Sequence, residues 1–360
     1  MRNTEQPERI SVSFYYPAPK TENTTFPEMN NLTAAWANKL SLGRVELREE
    51  IIRQNPGDWA AMALPQADLE VVRLFSDYLV WFLVLDDDYC ENSTGHGIAE
   101  MTELFSWLIR IAEHPDSPIL NGDPVADGLR DIVNRISALA SEHLTLSFVE
   151  AMRGFFLSLL WEASFRERKT QATLEEYALL RTHNGMMRPY SLLLELGAPE
   201  ELTPKERDSQ PVRALIEMAV FILLFDNDVL SYGKENHQRN DGRRYNQNPV
   251  SILQHQHGLS HREAILRTMD LRNRAMSRYM DLHDHVLTRA SSAVAHFINN
   301  LDTMTRACFD WSLPTERYRV WDGPVLPSPT DVRPQADSTP LPFAAISWWW
   351  ESNLMQNTLA

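Results

Sequence analysis

Between residue 35 and about residue 312, apolar side chains recur every three or four positions, the period of one helix face, and alternating strand-like runs are nearly absent. The pattern predicts helices over 44–55, 67–90, 98–113, 124–141, 144–168, 173–197, 208–234, 260–280 and 282–310, and so an all-α chain. Gly, Pro, Asn and Asp collect between them at 114–118, 196–204 and 236–249. Residues 1–34 lack periodicity and carry Pro17, Pro19 and Pro27 among Asn and Thr, the pattern of an N-terminal extended strap. After the helical domain, placed at 35–322, Pro324, Pro327, Pro329, Pro334, Pro340 and Pro342 keep most of 323–360 out of a helix. This proline-rich tail ends in an aromatic cluster, Trp348 to Trp350, and predicts a flexible appendage that docks, if at all, through its tryptophans.

Two of the apolar helices run into polar clusters. The first, ending in LFSDYLVWFLVL, meets Asp86, Asp87, Asp88 and then Glu91. Carboxylates in the last turns of a helix face the negative end of its dipole and repel one another, each effect costing about 0.3–1 kcal/mol. Asp87 and Glu91 are four apart and share a face, with Asp86 beside them, so the cluster can converge on one or two cations. Oxygen-only ligands suit Mg²⁺. A solvated acidic helix end would account for this cluster alone equally well. The second helix, 217–235, opens into Asn227, Ser231 and Glu235 at i, i+4 and i+8, which places an amide oxygen, a hydroxyl and a carboxylate on one stripe. Helix capping uses one such residue, not three in register.

Pro189 adds a local prediction. It lacks an N–H and clashes with the carbonyl four residues back, so the helix should break near Gly185 and leave that carbonyl free, whether as a packing kink or for chemistry. The balance of 34 Lys and Arg against 49 Asp and Glu, a formal net charge of −15, argues against nucleic-acid binding. Cys90 and Cys308 are too few for a disulfide framework or a Cys-built zinc site. The first 17 residues carry no apolar run and no uncharged apolar stretch reaches 18 residues, so no membrane span and a cytoplasmic location are expected.

The segment NDVLSYGKE resembles the Asn/Ser/Glu metal triad of class I terpene synthases at every defined position, and DDDYCE looks like their aspartate-rich motif. The register of the latter stays open, since DDxxxE from Asp86 and DDxxE from Asp87 both fit. The resemblance covers roughly residues 12–322. It implies a single-domain α-helical bundle with the active-site cavity at its centre and three Mg²⁺ ions, Mn²⁺ being a substitute. It also implies diphosphate contacts from Arg181, Lys234, Arg317 and Tyr318, and a helix break that aims the Gly185 carbonyl into the cavity with Asn184 at the linker position. Phe82 and Trp311 stand where the family places cavity aromatics; Phe75, Trp81 and Phe221 are further candidates, and all five could instead be ordinary core.

The implied activity is metal-dependent ionisation and cyclisation of a linear prenyl diphosphate, with farnesyl preferred over geranylgeranyl only on frequency in the family; a homodimer is admitted. A chain-elongating prenyl diphosphate synthase would present a second DDxxD in place of the triad. The pairs His255/His257 and His283/His285 are two apart and do not share a helix face, which argues against a zinc or di-iron site. A non-catalytic helical protein would need every match to be coincidence.

Overall fold

The helix Leu69–Leu85 is apolar on nearly every side, as expected of a helix surrounded by others, and in the computed structural model Val72, Phe75, Tyr78, Val80, Trp81 and Leu85 are all buried. The structure describes residues 9–90, 97–239, 247–319, 324–335 and 339–356. Its helices are α1 (Met29–Leu40), α2 (Val45–Arg53), α3 (Pro56–Ala63), α4 (Leu69–Leu85), α5 (Ile98–Glu113), α6 (Pro124–Leu139), α7 (Glu142–Arg168) and α8 (Leu174–Arg181). They continue with α9 (Met187–Leu193), α10 (Pro204–Arg207), α11 (Gln210–Arg239), α12 (Pro249–His257), α13 (His261–Leu287), α14 (Ser292–Ser312) and α15 (Glu316–Arg319). The second long inner helix, α11, packs against α8, α9, α12, α13 and α14, while α4 packs against α1, α2, α3 and α6.

Several boundaries differ from the periodicity. The expected helix 173–197 is two helices, because Gly185 and Met186 both take left-handed backbone angles, φ 66° and φ 60°. The break expected near 281 falls instead at 288–291, where the Ser291 side chain accepts from the Val294 N–H and caps α14. The helix expected to run to 90 ends as α-helix at Leu85 and continues as one π-helical turn, Asp86–Cys90. α1, α3 and α12 were not anticipated, and α1 starts at Met29, inside the expected strap. α7 is long and apolar enough to cross a membrane, but half of its apolar stretch is buried, with α5 and α9 against it.

The two ends of the chain meet in a two-stranded parallel sheet. β1 (Ile10–Tyr15) buries Ile10, Val12 and Phe14 and exposes Ser11 and Ser13, and it pairs with β2 (Val325–Thr330) from Ile10 opposite Val325 to Tyr15 opposite Thr330. Pro327 and Pro329 are two apart, so both lie on the same edge of β2 and leave N–H groups on the other. The tail is not a free appendage. Its 3₁₀ turn Ala344–Trp350 buries Trp349, whose Nε1 donates to Glu217 on α11 at 3.1 Å, while the Ala344 and Ala345 N–H groups donate to Glu175 on α8 at 3.0 and 2.8 Å.

Candidate active site

The π-helical turn at the end of α4 winds the chain more widely than an α-turn and changes the direction of successive side chains. Asp87 there accepts a two-pronged hydrogen bond from Arg317 on α15, with both N···O distances 3.1 Å, the geometry that suits a guanidinium to a carboxylate. Asp88 accepts from Arg44 Nε at 2.9 Å. Asp86 opens the turn and is half-buried. Glu91, the last member of the expected cluster, lies outside the described residues.

On α11 three consecutive polar residues, about 100° apart around the axis, find three different neighbours. Asp226 meets Arg272 and Tyr16. Asn227 donates its amide to the Tyr318 hydroxyl at 2.7 Å, which leaves its amide oxygen uncommitted to that bond. Asp228, fully buried, accepts from Tyr177 at 2.8 Å and from the Arg181 guanidinium. Burial pushes the Asp228 carboxyl up to about 7, against the pull of Arg181. Burial likewise pushes the Tyr318 phenol up to about 12, so it stays neutral.

One turn further along α11, the Ser231 hydroxyl donates to Glu235 Oε1 at 2.5 Å, and the other Glu235 oxygen accepts from Asn248 at 3.0 Å. Lys234 is buried beside them. Among the described residues no three His, Cys, Asp or Glu side chains form a metal-binding group. The triad does not depend on such a group: its donors are an amide, a hydroxyl and a carboxylate, two of them already converged, and hard oxygen donors suit Mg²⁺. α15 thus connects the two clusters, Arg317 standing on Asp87 and Tyr318 on Asn227.

The helix break lies against the same helix. Asn184 donates to Glu162 on α7 and accepts from the Gly185 N–H. A Cβ on Gly185 would meet Leu224 Cδ2, three residues before Asn227, at 2.5 Å. The break expected near Gly185 is present between α8 and α9, and Pro189 is the third residue of α9, where a helix has no use for an N–H, so it starts the second helix and does not kink a continuous one. It still denies the Gly185 carbonyl a donor four residues on.

The aromatic candidates separate. On α4, Leu79, Phe82 and Leu83 keep 5–7% exposure while Val80, Trp81, Val84 and Leu85 keep none, so the first three share the stripe that leads to Asp86. Phe82 also meets Phe155 edge-on at 5.8 Å. Trp311 keeps 7%, lies 6.5 Å from the Tyr318 ring and anchors its Nε1 on the Gln54 carbonyl at 2.7 Å. Trp81 belongs to the core, donating to the Val125 carbonyl at 2.8 Å and stacking on Tyr78. Phe221 packs on Phe225 and the tail's Trp349, and Phe75 between Trp59 and Tyr190. The sequence reading did not single out Asp226, Asp228, Tyr177 or Asn248; the two aspartates were visible only as the residues flanking Asn227.

Residues 77–278 match the family model described as terpene synthase family 2, C-terminal metal binding. A (+)-T-muurolol synthase of Streptomyces clavuligerus, named as cyclizing (2E,6E)-farnesyl diphosphate, is 32% identical over 348 residues, 94% of this chain and 82% of that relative. A (+)-(1(10)E,4E,6S,7R)-germacradien-6-ol synthase of Streptomyces pratensis is 28% identical over 93% of this chain and 95% of its own length. Among solved structures, the SVS_A2 protein from ancestral sequence reconstruction superposes with TM-score 0.84 at 24% identity, over 95% of this chain and 99% of that one.

Proposed function

Because the chain belongs to the class I terpene synthase family, lyases acting on prenyl diphosphates, we propose that it cyclises farnesyl diphosphate to a sesquiterpene with Mg²⁺ and releases diphosphate. The observation that carries this reading is the span of α15 between the two oxygen-rich clusters, Arg317 on Asp87 and Tyr318 on Asn227. An anionic group bound between those clusters would meet Arg317 and Tyr318 from one side, and Arg181 and Lys234 from α8 and α11. These donors would stabilise the charge that develops on the departing diphosphate. Mg²⁺, held by Asp86, Asp87, Asn227, Ser231 and Glu235 with Glu91 as the expected further ligand, would supply Lewis-acid stabilisation of the same charge.

The carbocation left behind is served by apolar and aromatic walls that exclude water. The faces of Phe82 and Trp311 would attract a cation by about 0.5–2 kcal/mol, and a Gly185 carbonyl aimed inward would add a dipole. The farnesyl substrate is favoured by the relatives named as cyclizing farnesyl diphosphate. A geranylgeranyl substrate is the second reading.

The test is incubation with C10, C15 and C20 prenyl diphosphates and Mg²⁺, followed by gas chromatography and diphosphate release. A cyclic C15 product is expected, abolished by EDTA. Asp86→Ala and Asn227→Ala, each removing a direct oxygen ligand, should cost more than about 100-fold in kcat. Product from C20 alone would replace the substrate, and turnover unchanged in EDTA would refute the metal-dependent mechanism.

A further inference from the structure

The segment that carries Arg317 and Tyr318 is held at both ends by the N-terminal strand. On one side α15 follows α14, whose Phe309 ring lies 5.0 Å from Phe14 and 5.2 Å from Tyr16. On the other side the Pro324 carbonyl accepts from the Ile10 N–H at 2.6 Å, and the chain continues as β2 along β1. The strand is in turn fastened to α11 and α13. The Tyr16 hydroxyl donates to Asp226 Oδ2 at 2.7 Å, and Arg272 donates to both Asp226 oxygens at 2.8 and 3.0 Å and to the Tyr15 carbonyl at 3.0 Å. The pair is buried, and the Arg272 and Arg306 guanidinium groups lie 5.2 and 5.7 Å from the Tyr16 ring centroid. Asp226 directly precedes Asn227, the residue that Tyr318 touches.

We infer that Tyr16, Asp226 and Arg272 are positioning residues, a buried lock that registers the N-terminal strand on α11 and thereby sets Tyr318 and Arg317 against Asn227 and Asp87. None of the three residues needs to touch substrate. The strand, far from the clusters in sequence, is coupled to them through the residue next to Asn227 and through both flanks of α15. Since α15 engages the leaving group as charge separates, a loosened lock should lower kcat more than it raises KM.

This inference rests on the prenyl diphosphate reading, and its test is a double-mutant cycle in kcat between Tyr16→Phe and Tyr318→Phe. Tyr16→Phe removes one hydroxyl and keeps the ring against Phe309, so it is expected to fold. It should lower kcat about 10-fold with KM changed by less than about 2-fold, since misplaced catalytic groups cost rate. In the Tyr318→Phe background the same substitution should cost less, about 3-fold, because the part of its effect that passes through Tyr318 is already lost and only the part through Arg317 remains. Losses that multiply, or a rise in KM at constant kcat, would overturn the inference while leaving the functional reading intact. A parent protein that releases no diphosphate would overturn that reading and this inference with it. Should Tyr16→Phe fail to fold, the cycle runs with Arg272→Lys, which keeps a charge on Asp226 but gives up the forked geometry, and the same two outcomes decide.

Discussion

Helix propensity alone would rank Gly185→Ala as stabilising by about 1 kcal/mol; the structure reverses the sign. Gly185 sits at φ 66°, where an L-residue costs about 1–2 kcal/mol. Its Cβ would come within 2.5 Å of Leu224 Cδ2. Leu224 is buried at 4% exposure on α11, so its end cannot swing into solvent, and forced overpacking of this kind costs about 1–3 kcal/mol. Reduced freedom of the unfolded chain returns about 0.4–1 kcal/mol. The net expectation is a loss of about 2–4 kcal/mol, read as a shift of the urea midpoint at constant m. Gly258 provides a matched control: φ is 65°, yet nothing lies within 4 Å of its Cβ, so Gly258→Ala carries the backbone cost without the clash. Gly185→Ala should therefore exceed Gly258→Ala by about 1–3 kcal/mol. Equal losses in the two variants would show that Leu224 yields freely and that the contact between the helix break and α11 constrains nothing.

Asp77 provides a pH dependence. It is fully buried beside Arg135 at 2.7 Å, and burial pushes its carboxyl up from 3.8 to about 6. The folded state then holds the proton more tightly than the unfolded chain does, so this group's contribution falls as pH rises from about 4 to about 6 and is level above, a span of about 3 kcal/mol. The difference in unfolding free energy between parent and Asp77→Asn, measured from pH 4 to pH 7.5, should follow that course; a flat difference would refute it. Arg207 and Glu195 form a buried pair, 3% and 1% exposed, at 2.6 Å. Arg207→Ala leaves the carboxylate unpaired and should cost about 3–5 kcal/mol in denaturation, whereas Arg207→Met with Glu195→Leu should recover most of it; an equal loss in the double variant would contradict the argument.

The helical class was legible because α4, α11 and α13 bury wide apolar faces that periodicity reports directly. What periodicity could not supply was long-range pairing. Ile10 to Tyr15 alternates faithfully, but six residues amid prolines look like loop until their partner is known, and that partner, VLPSPT, carries two prolines of its own. Both lie on one edge, so a sequence that reads as a strand breaker is compatible with a two-stranded ribbon. Docking of the tail through its tryptophans was foreseen, but not where it docks. Proline content correctly denied it a long helix, but its attachment depends on Glu175, Glu217 and Arg278, on three separate helices, and no local pattern announces them.

Site residues were legible where spacing carried the chemistry. Asn227, Ser231 and Glu235 stand on one stripe of α11, and the aspartates on either side of Asn227 were given no role. The structure gives Asp226 and Asp228 matching environments on either side of Asn227: each is buried and held by one arginine and one tyrosine, Arg272 with Tyr16 and Arg181 with Tyr177. A buried carboxylate stripped of such partners costs several kcal/mol. Turning α11 by the 100° of a single residue would take both carboxylates from their guanidinium groups at once, so the two ion pairs fix the rotation of the helix. Asn227 then has a single direction left to it, toward Tyr318. Arg181, expected to contact diphosphate, holds Asp228 in place, so the cost of removing it should appear in stability as well as in turnover.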